Sequence, residues 1–258
     1  MRRYLATAAG LALLVGMAGP AAADGYTRGS IKDRPDIFRW SGWYSGAHVG
    51  YGWGSSDTSI APGDAAAIAF VPFFAATGTP TSVSQDQRGF LSGALGGFNV
   101  QSANMVWGVE SDISIGTLKG SESVPSAPGF PFTTNTVSKT DWLSTLRLRA
   151  GLLVTPQTLL YVTGGLAVGH VEHSYTLAIN GAGVNFFSGS TSGTEIGWTA
   201  GAGAEFAISP RMTLRGEYLY YDLGDTKFAA PGLPGVGNFN VTAENTGHIA
   251  RAALAYKF

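Results

Sequence analysis

Eight ionisable side chains stand at mid-segment positions where a period-two pattern turns them all to one face. They are Glu110, Asp112, Glu205 and Glu217 against Arg147, Arg149, Arg215 and Arg251. Four acids and four bases held together either pair into a packed network or line a narrow ion path, and the water that reaches them decides which. Other groups that could carry chemistry are sparse. His170 and His173 are three residues apart, a spacing that in a strand sends the two imidazoles to opposite faces and spoils ligation of one metal. A serine two residues after a histidine would suit an acyl hydrolase, yet the positions that follow His48, His170, His173 and His248 hold Gly50, Glu172, Tyr175 and Ala250. The run from Gly201 to Phe206 begins like a dinucleotide fingerprint, but Phe206 stands where the last glycine belongs and no βαβ setting surrounds it. No catalytic residue, cofactor or metal is therefore assigned, and the chain is expected not to be an enzyme.

The elements that position the eight charges read as strands. In a barrel that crosses lipid, residues alternate between an apolar outward face and a small or polar inward face over roughly ten positions. Eight segments do so. Trp43, Ala47, Val49, Tyr51 and Trp53 oppose Gly46, His48, Gly50 and Gly52; Phe90, Ala94, Phe98 and Val100 mark a looser second segment. Trp107, Val109, Ile113 and Ile115 oppose Glu110 and Asp112, while Trp142, Leu146, Leu148, Ala150 and Leu152 oppose Thr145, Arg147 and Arg149. The fifth sets Leu160, Val162, Leu166 and Val168 against Tyr161, Thr163, Gly165 and Ala167, and the sixth sets Ile196, Trp198, Ala200, Ala202 and Phe206 against Thr199, Gly203 and Glu205. Leu214, Tyr218 and Tyr220 oppose Arg215 and Glu217; Ala250, Ala252, Leu254, Tyr256 and Phe258 oppose Arg251 and Lys257. A soluble sheet would also wet its charged face, so the aromatic residues decide between the two. Trp43, Tyr51, Trp53, Trp107, Trp142, Trp198, Tyr218, Tyr220 and Tyr256 lie on the apolar face near segment ends, as interfacial girdles require.

Composition agrees with this reading. Of 258 residues 37 are glycine, 12% are aromatic and only 13% are charged, a mix that suits short strands and turns rather than a helical bundle or a disordered chain. There is no cysteine, hence no disulfide or thiol chemistry, and a formal net charge of -1 gives no electrostatic footprint for nucleic acid. Residues 1–23 read as a signal peptide: Arg2 and Arg3, an apolar run from Leu5 to Ala18, then Ala21-Ala22-Ala23 before the cut. A periplasmic segment 24–42 follows, and then the barrel, 43–258. The connections Ser102 to Met105, Thr155 to Thr158 and Ser209 to Met212 are tight turns, while those near 54–88, 119–139, 172–194 and 223–246 are long. The expected fold is thus all-β: an eight-stranded antiparallel transmembrane up-and-down barrel with short periplasmic turns and long extracellular loops.

Several phrases are also familiar as an ensemble: Trp40-Ser41-Gly42-Trp43-Tyr44-Ser45-Gly46, Gly108-Val109-Glu110-Ser111-Asp112, the stretch from Asp141 to Gly151, Tyr161 to Ala167, Glu217 to Gly224, and the closing Tyr256-Lys257-Phe258. Across nearly the whole mature chain they resemble the RopB-like small porin-family outer-membrane proteins of alphaproteobacteria. The resemblance implies an eight-stranded barrel like the transmembrane part of OmpA, placed in the cell outer membrane. It further implies roles in envelope integrity, surface antigenicity and host contact, and no known reaction. Unlike OmpA, the chain ends at its barrel, so tethering to the wall through a following domain is not expected. Phe258, with Tyr256 and Leu254 on its face, resembles the C-terminal signal read by the barrel-assembly machinery. The partners implied are outer-membrane lipids and lipopolysaccharide, that machinery, and host surface molecules, around a monomer. Two rivals are weighed. An omptin-type protease wants ten strands and acid pairs that these loops do not show, and a narrow porin-like channel for small solutes is the functional alternative. An eight-stranded interior is only just wide enough for its own side chains, so a packed lumen is the expected state.

Three of the long connections repeat one phrase, Ala61-Pro62-Gly63, Ala127-Pro128-Gly129 and Ala230-Pro231-Gly232, each expected to fix a type II bend. Around them sit Ile68, Phe70, Val71, Phe73, Phe74, Phe130, Phe132 and Phe228. That much apolar surface is expected to fold over the barrel as a cap, or to stay in part as an exposed patch for acyl chains or a host surface.

Overall fold

The structure is a computed structural model that describes residues 38–258. The expected signal peptide 1–23 and all but the last residues of segment 24–42 lie outside the described residues. Eight strands follow in chain order: β1 (Gly42–Pro62), β2 (Ser82–Ser102), β3 (Met105–Pro125), β4 (Phe132–Thr155), β5 (Thr158–Ile179), β6 (Val184–Ser209), β7 (Met212–Pro231) and β8 (Asn238–Lys257). Each pairs antiparallel with its sequence neighbour, and β1 closes on β8, so the ring is a closed up-and-down barrel. The three tight turns fall at the expected places, with Ser102 opposite Met105, Thr155 opposite Thr158 and Ser209 opposite Met212. No helix among the described residues is long and apolar enough to cross a membrane, which says nothing of crossing by strands.

The long connections differ from the expectation. Most of their length is strand, because every strand continues well past its apolar stretch, and the remaining links 126–131, 180–183 and 232–237 are short. Only the link between β1 and β2 holds an element of its own, the helix α1 (Ala65–Thr77). Its N-cap Asp64 accepts a hydrogen bond from the Ala67 amide at 2.8 Å, and it ends at Gly78, whose φ of 62° is readily reached by glycine. The repeated Ala-Pro-Gly phrase makes a type II bend once. Gly129 has φ 95° and the Phe130 N–H donates to the Ala127 carbonyl at 3.2 Å, whereas Pro62 and Pro231 instead end β1 and β7.

Two register shifts re-aim side chains. Thr140 faces Val171 and Trp142 faces His170, so Asp141 is an extra residue that switches which parity of β4 points inward. A second shift between Asp222 and Asp225 does the same in β7 around Gly224. The β6–β7 ladder runs only from Ser209 and Met212 up to Trp198 and Asp222, then resumes as one isolated bridge between Phe187 and Gly232.

Candidate functional site: a layered, capped lumen

All eight inward charges meet in one layer. Arg147, on β4, is 1% exposed and donates to Glu110 at 2.6 Å, Asp112 at 2.8 Å and Glu217 at 2.9 Å. Arg251 on β8 reaches Asp112 at 3.0 Å and Glu217 at 2.6 Å. Arg149 holds Glu205 at 2.7 Å, and Arg215 holds Glu110 at 2.5 Å. The network reaches beyond adjacent strands, since the acids of β3, β6 and β7 are shared among arginines of β4, β7 and β8. Two tyrosines complete the layer. Tyr44 donates to Glu110 at 2.6 Å, Tyr161 donates to Glu217 at 3.0 Å, and the Arg149 guanidinium lies 4.1 Å from the Tyr161 ring centroid. With charges equal in number and each acid hydrogen-bonded, the burial cost of the ions is offset locally, and the layer is a plug rather than a wet path.

Directly outward of the charges the lumen turns apolar. Leu91, Leu118, Leu143, Ala167, Val171, Leu219, Tyr221, Leu223 and Ile249 form one buried cluster drawn from β2, β3, β4, β5, β7 and β8. An ion would have to shed its water to pass this layer. A polar layer follows. Gln85 donates to Ser138 Oγ, Ser138 Oγ lies 2.7 Å from His173 Nδ1, and His173 Nε2 lies 2.6 Å from Asn245 Oδ1. Asn245 then donates to Thr226 at 2.9 Å, and Thr226 to Glu195 at 3.1 Å. Because Asn245 Oδ1 only accepts, His173 carries its proton on Nε2 and accepts from Ser138 on Nδ1. This serine and histidine pair escaped a search along single strands because it joins β4 to β5. Ser138 is 1% exposed and already bonded on both sides, so no carbonyl substrate reaches its oxygen here.

Both ends are closed. At the base, Phe38 and Trp40, from the expected periplasmic segment 24–42, are buried against Val106, Leu159, Tyr161 and Ala207, and Trp40 Nε1 donates to the Pro156 carbonyl at 3.2 Å. The end of that segment thus packs into the barrel's floor. At the outer mouth α1 lies across the strands: Phe74 packs on Phe187 and Phe239, and Phe70 and Phe73 pack on Phe186. Tyr175, Leu177, Phe187, Phe239 and Val241 make the buried floor of this cap, with Phe132 and Phe228 at its edge. Part of the surface stays open, since Ile68, Val71, Phe130 and Leu233 are exposed. The expected cap and the expected patch are two faces of one structure.

The outside of the ring is the inverse of a soluble protein. Phe90 is 78% exposed, Leu148 71% and Ile196 69%, while Arg147 and Glu110 are buried within. A family model of the outer membrane protein beta-barrel domain matches residues 9–258. The chain belongs to this family. The 31 kDa outer-membrane immunogenic protein of Brucella melitensis is 34% identical over 226 residues, 86% of this chain and 85% of that protein. The 22 kDa outer membrane protein of Rhizobium leguminosarum bv. viciae is 32% identical over 134 residues, 52% of this chain and 53% of that protein. Among solved structures, the outer membrane protein OprG from Pseudomonas aeruginosa aligns with a TM-score of 0.47 at 15% identity, covering 86% of this chain and 98% of that one. The resemblance read from the sequence holds as a small alphaproteobacterial outer-membrane barrel, and the protein resides in the cell outer membrane.

For an outer-membrane barrel the exposed apolar residues face lipid. Trp43, Trp107 and Tyr256 lie toward the end with the tight turns, and Trp43 packs on Phe98 with ring centroids 5.0 Å apart. Toward the other end Trp53 and Tyr218 flank His248, Tyr51 lies 6.3 Å from Trp53, and Tyr220 sits 5.3 Å from Trp198. Trp142 faces outward but is half-buried beside the Asp141 bulge. Phe258 is exposed, with its ring against Tyr256 and its amide donating to the Trp43 carbonyl at 3.1 Å.

Proposed function

We propose that the protein is a structural, non-catalytic outer-membrane barrel that supports envelope integrity and carries a folded, partly apolar tip for contact with host surface molecules. The observation that carries this reading is the closure of the lumen in successive layers, floor, ion plug, apolar ring and aromatic cap, which leaves the outer tip as the part free to act. On β4 the ten residue steps from Trp142 to Phe132 rise past the apolar belt; at ~3.3 Å per step and a tilt near 40° the tip stands roughly 25 Å above it. At that height the exposed Ile68 and Val71 of α1 cannot reach the acyl chains of the protein's own membrane, which favours an external surface as their partner. The name of the Brucella relative, an outer-membrane immunogenic protein, is in keeping with a surface-exposed role. Lipids and lipopolysaccharide would surround the belt, the assembly machinery would read Phe258, and the closed ring supports a monomer. A narrow channel for small solutes finds no support in the apolar ring. Deletion of residues 65–76 tests the reading. The shortened barrel keeps its heat-modified band shift and loses binding to host cells; undiminished binding would contradict the proposal.

A further inference from the structure

The bulge at Asp141 has a product on the outside of the barrel that the lumen does not use. Because Asp141 is the extra residue of β4, it joins the outward face, where β5 presents His170 and Glu172. One ligand atom from each of the three lies within 4.8 Å of the others, all three residues being half-buried. The cluster sits level with Trp142, the cross-strand partner of His170, and just outward of the lipid-facing Val168 and Ile196, where the apolar belt ends.

Two further contacts shape it. Ser192 Oγ, on β6, lies 3.1 Å from His170 Nε2. With Nε2 engaged, Nδ1 is the nitrogen free to ligate, and the serine orients the ring as an outer partner does in metal sites. Lys139 Nζ lies 2.7 Å from Asp141 Oδ1 and 3.6 Å from Glu172 Oε2, so the position between the two carboxylates already attracts a cation. Its side chain is 29% exposed and able to swing away into solvent.

We propose that Asp141, His170 and Glu172 bind a divalent transition-metal cation of the zinc class at the outer rim of the lipid belt. One imidazole and two carboxylates suit zinc better than calcium or magnesium, which take oxygen ligands, and three protein ligands leave a fourth position for water or an outside ligand. The metal replaces the Lys139 ammonium between the carboxylates, so the lysine acts as a built-in competitor that sets the affinity. The inference needs only the outer-membrane barrel and is independent of any role for the tip.

The test is a zinc titration by calorimetry of the refolded barrel in phosphate-free detergent micelles. The wild-type protein binds one equivalent. His170→Ala and Glu172→Gln each weaken binding by about tenfold or more, at least what loss of an outer-shell partner costs a metal site. Lys139→Met tightens binding, and His248→Ala, at the other outward histidine, leaves it unchanged. Heat-modified band shifts verify that each variant folds, and none of these substitutions alters the bulge residue itself. Absence of saturable zinc binding, binding indifferent to His170→Ala, or weaker binding in Lys139→Met would overturn the proposal.

Discussion

The lower lumen and the outer cap are built by the same eight strands with opposite polarity. Within the belt the outside is lipid, so leucine, valine and tryptophan point out and the ions Glu110, Asp112, Arg147 and Arg251 point in. Above the belt the outside is water. There β5 turns Val171, His173, Tyr175 and Leu177 inward and Glu172, Ser174 and Thr176 outward, an ordinary core with an ordinary wet face. The comparison teaches that burial in such a barrel is set by what surrounds it at each height. Stability should accordingly divide: the ion layer belongs to the barrel as a whole, the aromatic cap to itself.

The largest expected effect is at Arg147. Its replacement by alanine strands Glu110, Asp112 and Glu217 without their shared partner, and breaking such a buried set costs about 3–5 kcal/mol. Urea unfolding should show the loss across the whole barrel. Combining Arg147→Met with Glu110→Gln restores the charge balance and recovers part of it; strictly additive losses would contradict a shared network.

Phe74→Ala probes the other region. Phe74 is 4% exposed against Phe187 and Phe239, and emptying such a site costs about 3 kcal/mol, but the cost should stay within the cap. Proteolytic nicking around residues 65–77 should rise while the urea midpoint of the barrel holds. A shifted midpoint would erase the distinction between the two regions.

Asp64 gives the smallest effect and a pH dependence. Its carboxylate accepts from the amides of Ala67 and Asn238, and these bonds hold it below its ordinary pKa. A depressed carboxyl stabilises the folded cap above about pH 4, the unfolded value, and that contribution is lost as pH falls through the folded value. Acid should therefore loosen the wild-type cap toward the protease access of Asp64→Ala at neutral pH, with the barrel unaffected. Equal access for both proteins at neutral pH would argue against the Asp64 anchor.

Much of this was legible in the sequence, and the gaps have physical causes. The outward residues of every strand and the three tight turns follow from lipid on one side and a narrow interior on the other. Strand length above the belt was hidden because the alternation continues with its polarity reversed; Val171 to Leu177 break a lipid-outward pattern while remaining perfectly good strand. The parity switches at Asp141 and Gly224 are single extra residues that no period reveals. Tyr44 shares parity with Gly46 and His48 and was open to inference as an inward residue. The partnership of Ser138 with His173, and that of Asp141 with His170, depend on cross-strand register, which turns and bulges decide. Helix α1 was concealed by its composition: apolar all round with Pro72 inside, it shows no amphipathic stripe and reads as loop.

The central claim is that the lumen is closed by the ion plug and the apolar ring beneath the cap, and planar-bilayer conductance tests it most directly. The refolded mature barrel should give silence or rare small events, and removal of residues 65–76 should leave that record unchanged, because Arg147, Arg251, Leu118 and Leu143 still fill the bore. Sustained steps of porin size from the intact protein would contradict the account.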